Sequence, residues 1–179
     1  MFCIFLPYSV DPQEDDDNWD IIMWMDHRAK QEATEINKMN HDVLKSVGGS
    51  ISLEMQTPKL MWLKRNKPNI WKRVEDFYDL PDFLTWKATG QKTRSLCSAV
   101  CKWTYNGDGG KEGWSSSYFR DIGLGDLVDE KFVKIGQDIV FPGDFVGCLV
   151  PDAKKQMNIG MLHLFMKNNE ILALMKLLN

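Results

Sequence analysis

The chain has 179 residues, 44% of them apolar and 26% charged, a globular balance that excludes a disordered or collagen-like polypeptide. Its 22 Lys and Arg against 25 Asp and Glu leave a net charge of −3, which excludes the strong positive field of a nucleic-acid or membrane-surface protein. Seven Trp and nine Phe supply enough large apolar surface for a real core, and the length argues for about one domain.

The opening residues, Met1-Phe2-Cys3-Ile4-Phe5-Leu6-Pro7, lack a basic start, and Pro7 breaks the apolar run before it reaches secretory-signal length. No window reaches the roughly 18 uninterrupted apolar residues of a membrane span. The four cysteines, Cys3, Cys97, Cys101 and Cys148, therefore read as free thiols in a reducing, cytoplasmic compartment. Residues 11–18, Asp-Pro-Gln-Glu-Asp-Asp-Asp-Asn, crowd carboxylates that repel one another and predict a solvated loop; the EF-hand spacing is absent.

Ile21-Ile22-Met23-Trp24-Met25 reads as a buried strand that hands over at Asp26-His27-Arg28 to a helix. Ala29, Ala33, Ile36, Met39, Val43, Leu44 and Val47 recur at helical steps, and Gly48-Gly49 ends the run. Asp26 thus stands at a strand end, where α/β proteins place ligands. A second helix has Thr57 as N-cap, Pro58 at its first position and Pro68 as terminator. A third spans Ile70 to Phe77. A fourth starts near Asp79, uses Pro81 in its first turn, points Leu80, Phe83 and Leu84 inward and ends at Gly90. Residues 93–105 fit a strand or a buried helix turn equally, Asn106 to Gly110 is a loop, and Trp114 to Ile122 is a helix capped by Ser115 or Ser116 and closed by Gly123. The apolar tail from Met161 to Asn179 predicts a buried helix.

Several motifs fail on spacing. Gly107-Asp108-Gly109-Gly110-Lys111 lacks the first Gly and the Ser or Thr of a P-loop, and no Gly set matches the dinucleotide fingerprint. Cys97 and Cys101 lack a second ligand pair for zinc and read as buried small apolar residues. His27 and His41 sit at opposite ends of one helix, and His163 lies in the tail, so no His pair forms. What remains reads as binding: Trp24, Asp26, His27 and Arg28 in a row, Glu54, and Lys102 among aromatics. An aromatic face beside a carboxylate and cations can hold a polyol. The alternative has Asp26 capping the helix and Arg28 pairing with a surface acid.

These residues stand in longer strings: Met23-Trp24-Met25-Asp26-His27-Arg28-Ala29, Val47-Gly48-Gly49, residues 54–64, 77–90 and 94–105, then Gly113-Trp114 and Ile122-Gly123-Leu124. In that order they resemble the FGGY family of carbohydrate kinases, closest to its ribulokinase-like branch, over about residues 20–158. The resemblance implies a helix-rich α/β fold, a fragment of the actin-like or ribonuclease-H-like ATPase domain of sugar kinases. It implies transfer of the ATP γ-phosphoryl group, with Mg, to a hydroxyl of a pentulose such as ribulose. It places Trp24 against the sugar carbons, Asp26 and Arg28 on the pocket floor, Glu54 at a hydroxyl and Lys102 at the ketose oxygens.

The family's Asp-x-Gly-Thr-like phosphate motif has no counterpart before Trp19. The match stops near Ile159, short of the family's Asp-Ala/Cys-His base string. The expected organisation is thus a non-matching start over 1–20, part of the kinase N-terminal domain over 20–158 and an unrelated tail helix over 159–179. The expected activity is that of a sugar kinase inactive alone, with no catalytic residue and no ATP or Mg site in this chain. The alternatives are a non-catalytic polyol-binding or regulatory module derived from such a kinase, and a fragment without stable function. The expected partner is a small sugar, with neither nucleic acid nor membrane. Unpaired sheet edges and uncovered helix faces predict marginal stability and self-association.

Overall fold

The computed structural model describes residues 2–4, 21–107, 113–158 and 165–167. The acidic stretch 11–18, loop residues 108–112 and most of the tail lie outside them. The described chain is a helix-rich α/β body in which short strands tie the helices together. Strand β1 (Phe2–Ile4) is central to a three-stranded antiparallel sheet, flanked by β2 (Ile21–Ile22) and β3 (Phe77–Asp79). Phe2 faces both Ile22 and Asp79 in the register, so the two flanking strands end at the same level.

Helix α1 (Lys30–Lys38) begins after Asp26 as expected but stops early. Asn40 takes a left-handed φ of 48°, and residues 42–47 continue as a 3-10 turn instead of the same helix. Asn37 causes the break: its amide donates to the Ile51 carbonyl at 3.1 Å and accepts from the Ile51 N–H at 2.6 Å, which draws the following turn across the core. His27 and His41 therefore do not share a helix. The helix expected to start at Thr57 is α2 (Gln56–Asn66), with Met55 in the capping position. Thr57 is no cap; its hydroxyl is fully buried, 2.9 Å from the Tyr118 hydroxyl.

Helix α3 (Pro68–Arg73) is followed by an extended turn, and Phe77 belongs to β3, not to the helix. Pairing with β1 wins there because it also buries Phe77 and Tyr78 completely. Helix α4 (Leu80–Thr89) matches its forecast ends, with Pro81 in the first turn and Gly90 left-handed at φ 73°. Its buried residues differ: Asp82, Ala88 and Thr89 face in, while Leu80, Phe83 and Leu84 are half-buried. The ambiguous segment divides into β4 (Arg94–Ser95) and α5 (Leu96–Trp103).

Helices α6 (Ser116–Asp121) and α7 (Gly125–Asp129) follow, and the Ser115 hydroxyl caps α6 by accepting the Tyr118 N–H. Strand β5 (Ile139–Val140) pairs parallel with β4. Strand β6 (Phe145–Cys148), helix α8 (Pro151–Gln156) and strand β7 (Phe165–Lys167) complete the described chain. β7 pairs antiparallel with β6, so these three tail residues form a strand rather than part of a helix.

One core runs from Ile22 through Ile36, Leu60, Leu63, Trp71 and Phe77 to Trp114, Phe119 and Leu127. Trp114 stacks on Phe132 with ring centroids 5.8 Å apart and meets Phe119 edge-on at 5.9 Å. Its indole N–H donates to the Gly136 carbonyl at 2.9 Å. Gly136 is irreplaceable there, because its φ is +106° and a Cβ would lie 2.3 Å from Arg94 Cγ. Trp114→Phe keeps the stacking and orphans that carbonyl, so it should lower stability by about 1–3 kcal/mol. Urea unfolding measures it; an unchanged midpoint would show that the indole bond is dispensable.

Candidate functional site

The elbow between β2 and α1 is built by Asp26. Its carboxylate accepts the Arg28 N–H at 3.0 Å and Arg28 Nε at 2.9 Å, and the second oxygen lies 2.8 Å from Arg28 Nη2. This bidentate pair fixes the turn's shape. Burial opposes ionisation of Asp26, but the Arg28 hydrogen bonds and charge, with Lys59, hold its carboxyl below the ordinary value. Asp26 does not cap α1, which starts at Lys30 without a side-chain cap. Arg28 pairs with Asp26 itself and lies over the Trp62 ring at 4.9 Å. It also lines an open polar cleft of about 580 Å³ along α1, with Lys30, Thr34 and Lys38.

The segment expected to be a buried strand is buried only at Ile22; Met23 is 46% and Trp24 48% exposed. Two residues of pairing are all that β1 offers, and the chain then turns so that the Asp26 N–H donates to the Met23 carbonyl at 3.1 Å. The Trp24 ring is therefore available as a platform.

Lys59 organises the surroundings, although in sequence it is an ordinary helical lysine. Only 2% of it is exposed. Its ammonium donates to the Met23 carbonyl at 2.9 Å and the Trp24 carbonyl at 3.5 Å. Burial pushes its pKa down, the Asp26 charge pulls it up, and Lys102, Asp79 and Glu54 also bear on it. Thus the Trp24 carbonyl and the charges of Asp26, Glu54 and Lys102, drawn from three separate stretches of the chain, all bear on one buried cation. Lys102 Nζ stands 4.0 Å from Glu54 Oε2, with both side chains about 40% exposed at 39% and 44%. That distance is an ion pair but too long for a direct hydrogen bond.

Beneath this rim, Asp79 at the end of β3 accepts from the Trp103 indole at 2.9 Å and from the Gln56 amide. Burial raises its pKa, and those donors and Lys102 oppose the rise. Asp82 lies behind it and accepts the Ser95 N–H at 2.8 Å. Burial, aided by the Asp79 charge and opposed by the Ser95 N–H and Arg94, pushes its carboxyl from 3.8 up to about 7.

The remaining sequence candidates resolve plainly. His41 Nδ1 accepts the Val43 N–H at 3.1 Å, which leaves Nε2 as a donor to Ser117 Oγ, 3.2 Å away. It is no base for that serine. Cys97 and Cys101 are free and exposed, not buried, because the inward face of α5 is taken by Ala99 and Trp103. Among the described residues no three His, Cys, Asp or Glu side chains converge as a metal site. No helix among them is long and apolar enough to cross a membrane.

Comparison with known proteins defines the class. Residues 11–115 match the N-terminal domain of the FGGY family of carbohydrate kinases. The chain belongs to that family. It is 48% identical over 157 residues to an FGGY carbohydrate kinase domain-containing protein of Xenopus laevis, covering 87% of this chain and 28% of that protein. It is 39% identical over 165 residues to a D-ribulokinase of Saccharomyces cerevisiae, covering 88% of this chain and 23% of that one. The chain therefore spans about a quarter of these relatives' length. Plasmodium falciparum glycerol kinase superposes with a TM-score of 0.68 at 14% identity, covering 93% of this chain and 31% of that chain. A xylulose kinase of Rhodospirillum rubrum gives 0.65, also at 14%, with the same 93% and 31% coverage. At such identity the likeness is one of fold, that of the actin-like sugar kinases.

Two outcomes are expected. Lys59→Met removes the donor to both the Met23 and Trp24 carbonyls, so unfolding free energy should fall by about 1–3 kcal/mol; no change in a urea titration would refute the hub role. For Asp82, the folded chain holds its proton more tightly than the unfolded chain. Its stabilisation is complete below 3.8 and is lost as pH rises to about 7. Stability measured across that window should fall with rising pH, and Asp82→Asn, which keeps an acceptor for Ser95, should make the slope shallower.

Proposed function

We propose that this chain forms the sugar-binding side of a kinase that transfers the ATP γ-phosphoryl group to a hydroxyl of a pentulose, ribulose-like in shape. The gap between Lys102 and Glu54 carries the reading. At 4.0 Å it suits a sugar hydroxyl that accepts from the ammonium and donates to the carboxylate, converting one long ion pair into two short charge-assisted bonds. The half-exposed Trp24 ring supplies an apolar face for sugar C–H groups, and the Asp26–Arg28 pair holds the elbow that presents it. The 39% identity to the yeast D-ribulokinase supports the choice of a pentulose.

Mg-ATP is the phosphoryl donor in this proposal. Among the described residues no three His, Cys, Asp or Glu side chains converge, and no step here runs through the metal. In such transfer the protein contributes positioning and charge stabilisation, with a carboxylate taking the hydroxyl proton. The residues of this chain bind and orient the acceptor; by themselves they do not transfer phosphate. The free thiols of Cys97, Cys101 and Cys148 accord with a cytoplasmic setting.

Calorimetry on the purified chain should register ribulose binding, and Lys102→Ala should weaken it roughly 10- to 100-fold, as losing a hydrogen bond to a charged group does. No heat with ribulose or xylulose would overturn the binding role. ATP-dependent phosphorylation of either sugar by these 179 residues would overturn the assignment of a binding part alone.

A further inference from the structure

The outer face of α5 carries two free, exposed thiols one helical turn apart, Cys97 and Cys101. They share that face as an i, i+4 pair, while the opposite face is anchored by Ala99 and by Trp103, whose indole is bound to Asp79 at 2.9 Å. Residues four apart on a helix hold their Cβ atoms about 5–6 Å apart, whereas a disulfide needs about 3.5–4.5 Å. Oxidation would have to distort a helix that the core holds in place. A single atom bridging two sulfurs at bonds of about 2.3 Å spans the wider gap without distortion, as thiolate-bound metals do. No third His, Cys, Asp or Glu side chain joins the pair among the described residues, so a closed tetrahedral zinc cage is not what the chain offers. The fitting ligand takes two sulfurs from the protein and brings its remaining substituent with it.

We propose that Cys97 and Cys101 form a two-thiol clamp for a thiophilic centre of the monosubstituted trivalent arsenical class. The step is a condensation without redox change. Two S–H bonds and the arsenic–oxygen bond break, two As–S bonds form, and the oxygen leaves as water with both thiol protons.

Phenylarsine oxide is the probe. The full chain should take up one tightly held equivalent by intact mass, resistant to excess glutathione and removed by dithiothreitol. The second sulfur binds intramolecularly, so Cys97→Ser and Cys101→Ser should each weaken binding about 10²- to 10⁴-fold, while Cys3→Ser and Cys148→Ser leave it unchanged. In the unsubstituted chain the probe should protect Cys97 and Cys101 together from iodoacetamide and leave Cys148 reactive. Loss of the adduct to glutathione, undiminished binding in either α5 variant, or protection of only one of the two thiols would overturn the clamp.

Discussion

A fully buried ammonium ion is the constraint on which the site's geometry rests. Taking a lysine out of water costs several kcal/mol unless carbonyls and carboxylates replace the lost hydration. Lys59 meets that demand with the Met23 and Trp24 carbonyls and with the nearby charges of Asp26, Asp79 and Glu54. These partners come from three stretches of the chain, residues 23–26, Glu54 and Asp79, so satisfying one cation fixes the strand end, the elbow and the first turn of α2 against one another. The same turn sends Gln56 to Asp79 and Thr57 to Tyr118. A helix start that would ordinarily face solvent is thereby buried throughout.

That arrangement separates two kinds of charge. The Asp79 and Asp82 carboxylates sit deep, with raised pKa values set chiefly by burial. Lys102 and Glu54 stand on the rim, partly hydrated and unsatisfied by one another at 4.0 Å. The buried pair shapes the floor, and the rim pair retains hydrogen-bonding capacity. Groups packed inside the protein cannot reorganise around a ligand, whereas rim groups can exchange water for it.

What could be read from sequence follows the range of the forces involved. Helix α4 announced both ends because Pro81 and Gly90 act through their own backbones. The break in α1 was invisible, since Asn37 acts on Ile51 across the core. The local pattern around Phe77 is apolar and periodic and so reads as helix, whereas its partner strand β1 lies at the start of the chain. The strings that single out Trp24, Asp26, Glu54 and Lys102 also contain Lys59, but its burial leaves no trace in them, because a lysine in a helix carries no mark of burial. The thiols were misplaced for the converse reason: cysteine is usually interior, and only the packing of Trp103 shows which face of α5 points out.

The parallel pair of β4 and β5 joins Arg94 to Ile139 and Ser95 to Val140. Two residues of ladder cannot compensate for closing the long stretch between them, since loop closure removes entropy before any contact returns it. The intervening aromatic cluster of Trp114, Phe119 and Phe132 must therefore offset that entropy and hold β5 against its neighbour. The strand pair is thus a latch whose holding force comes from the rings behind it.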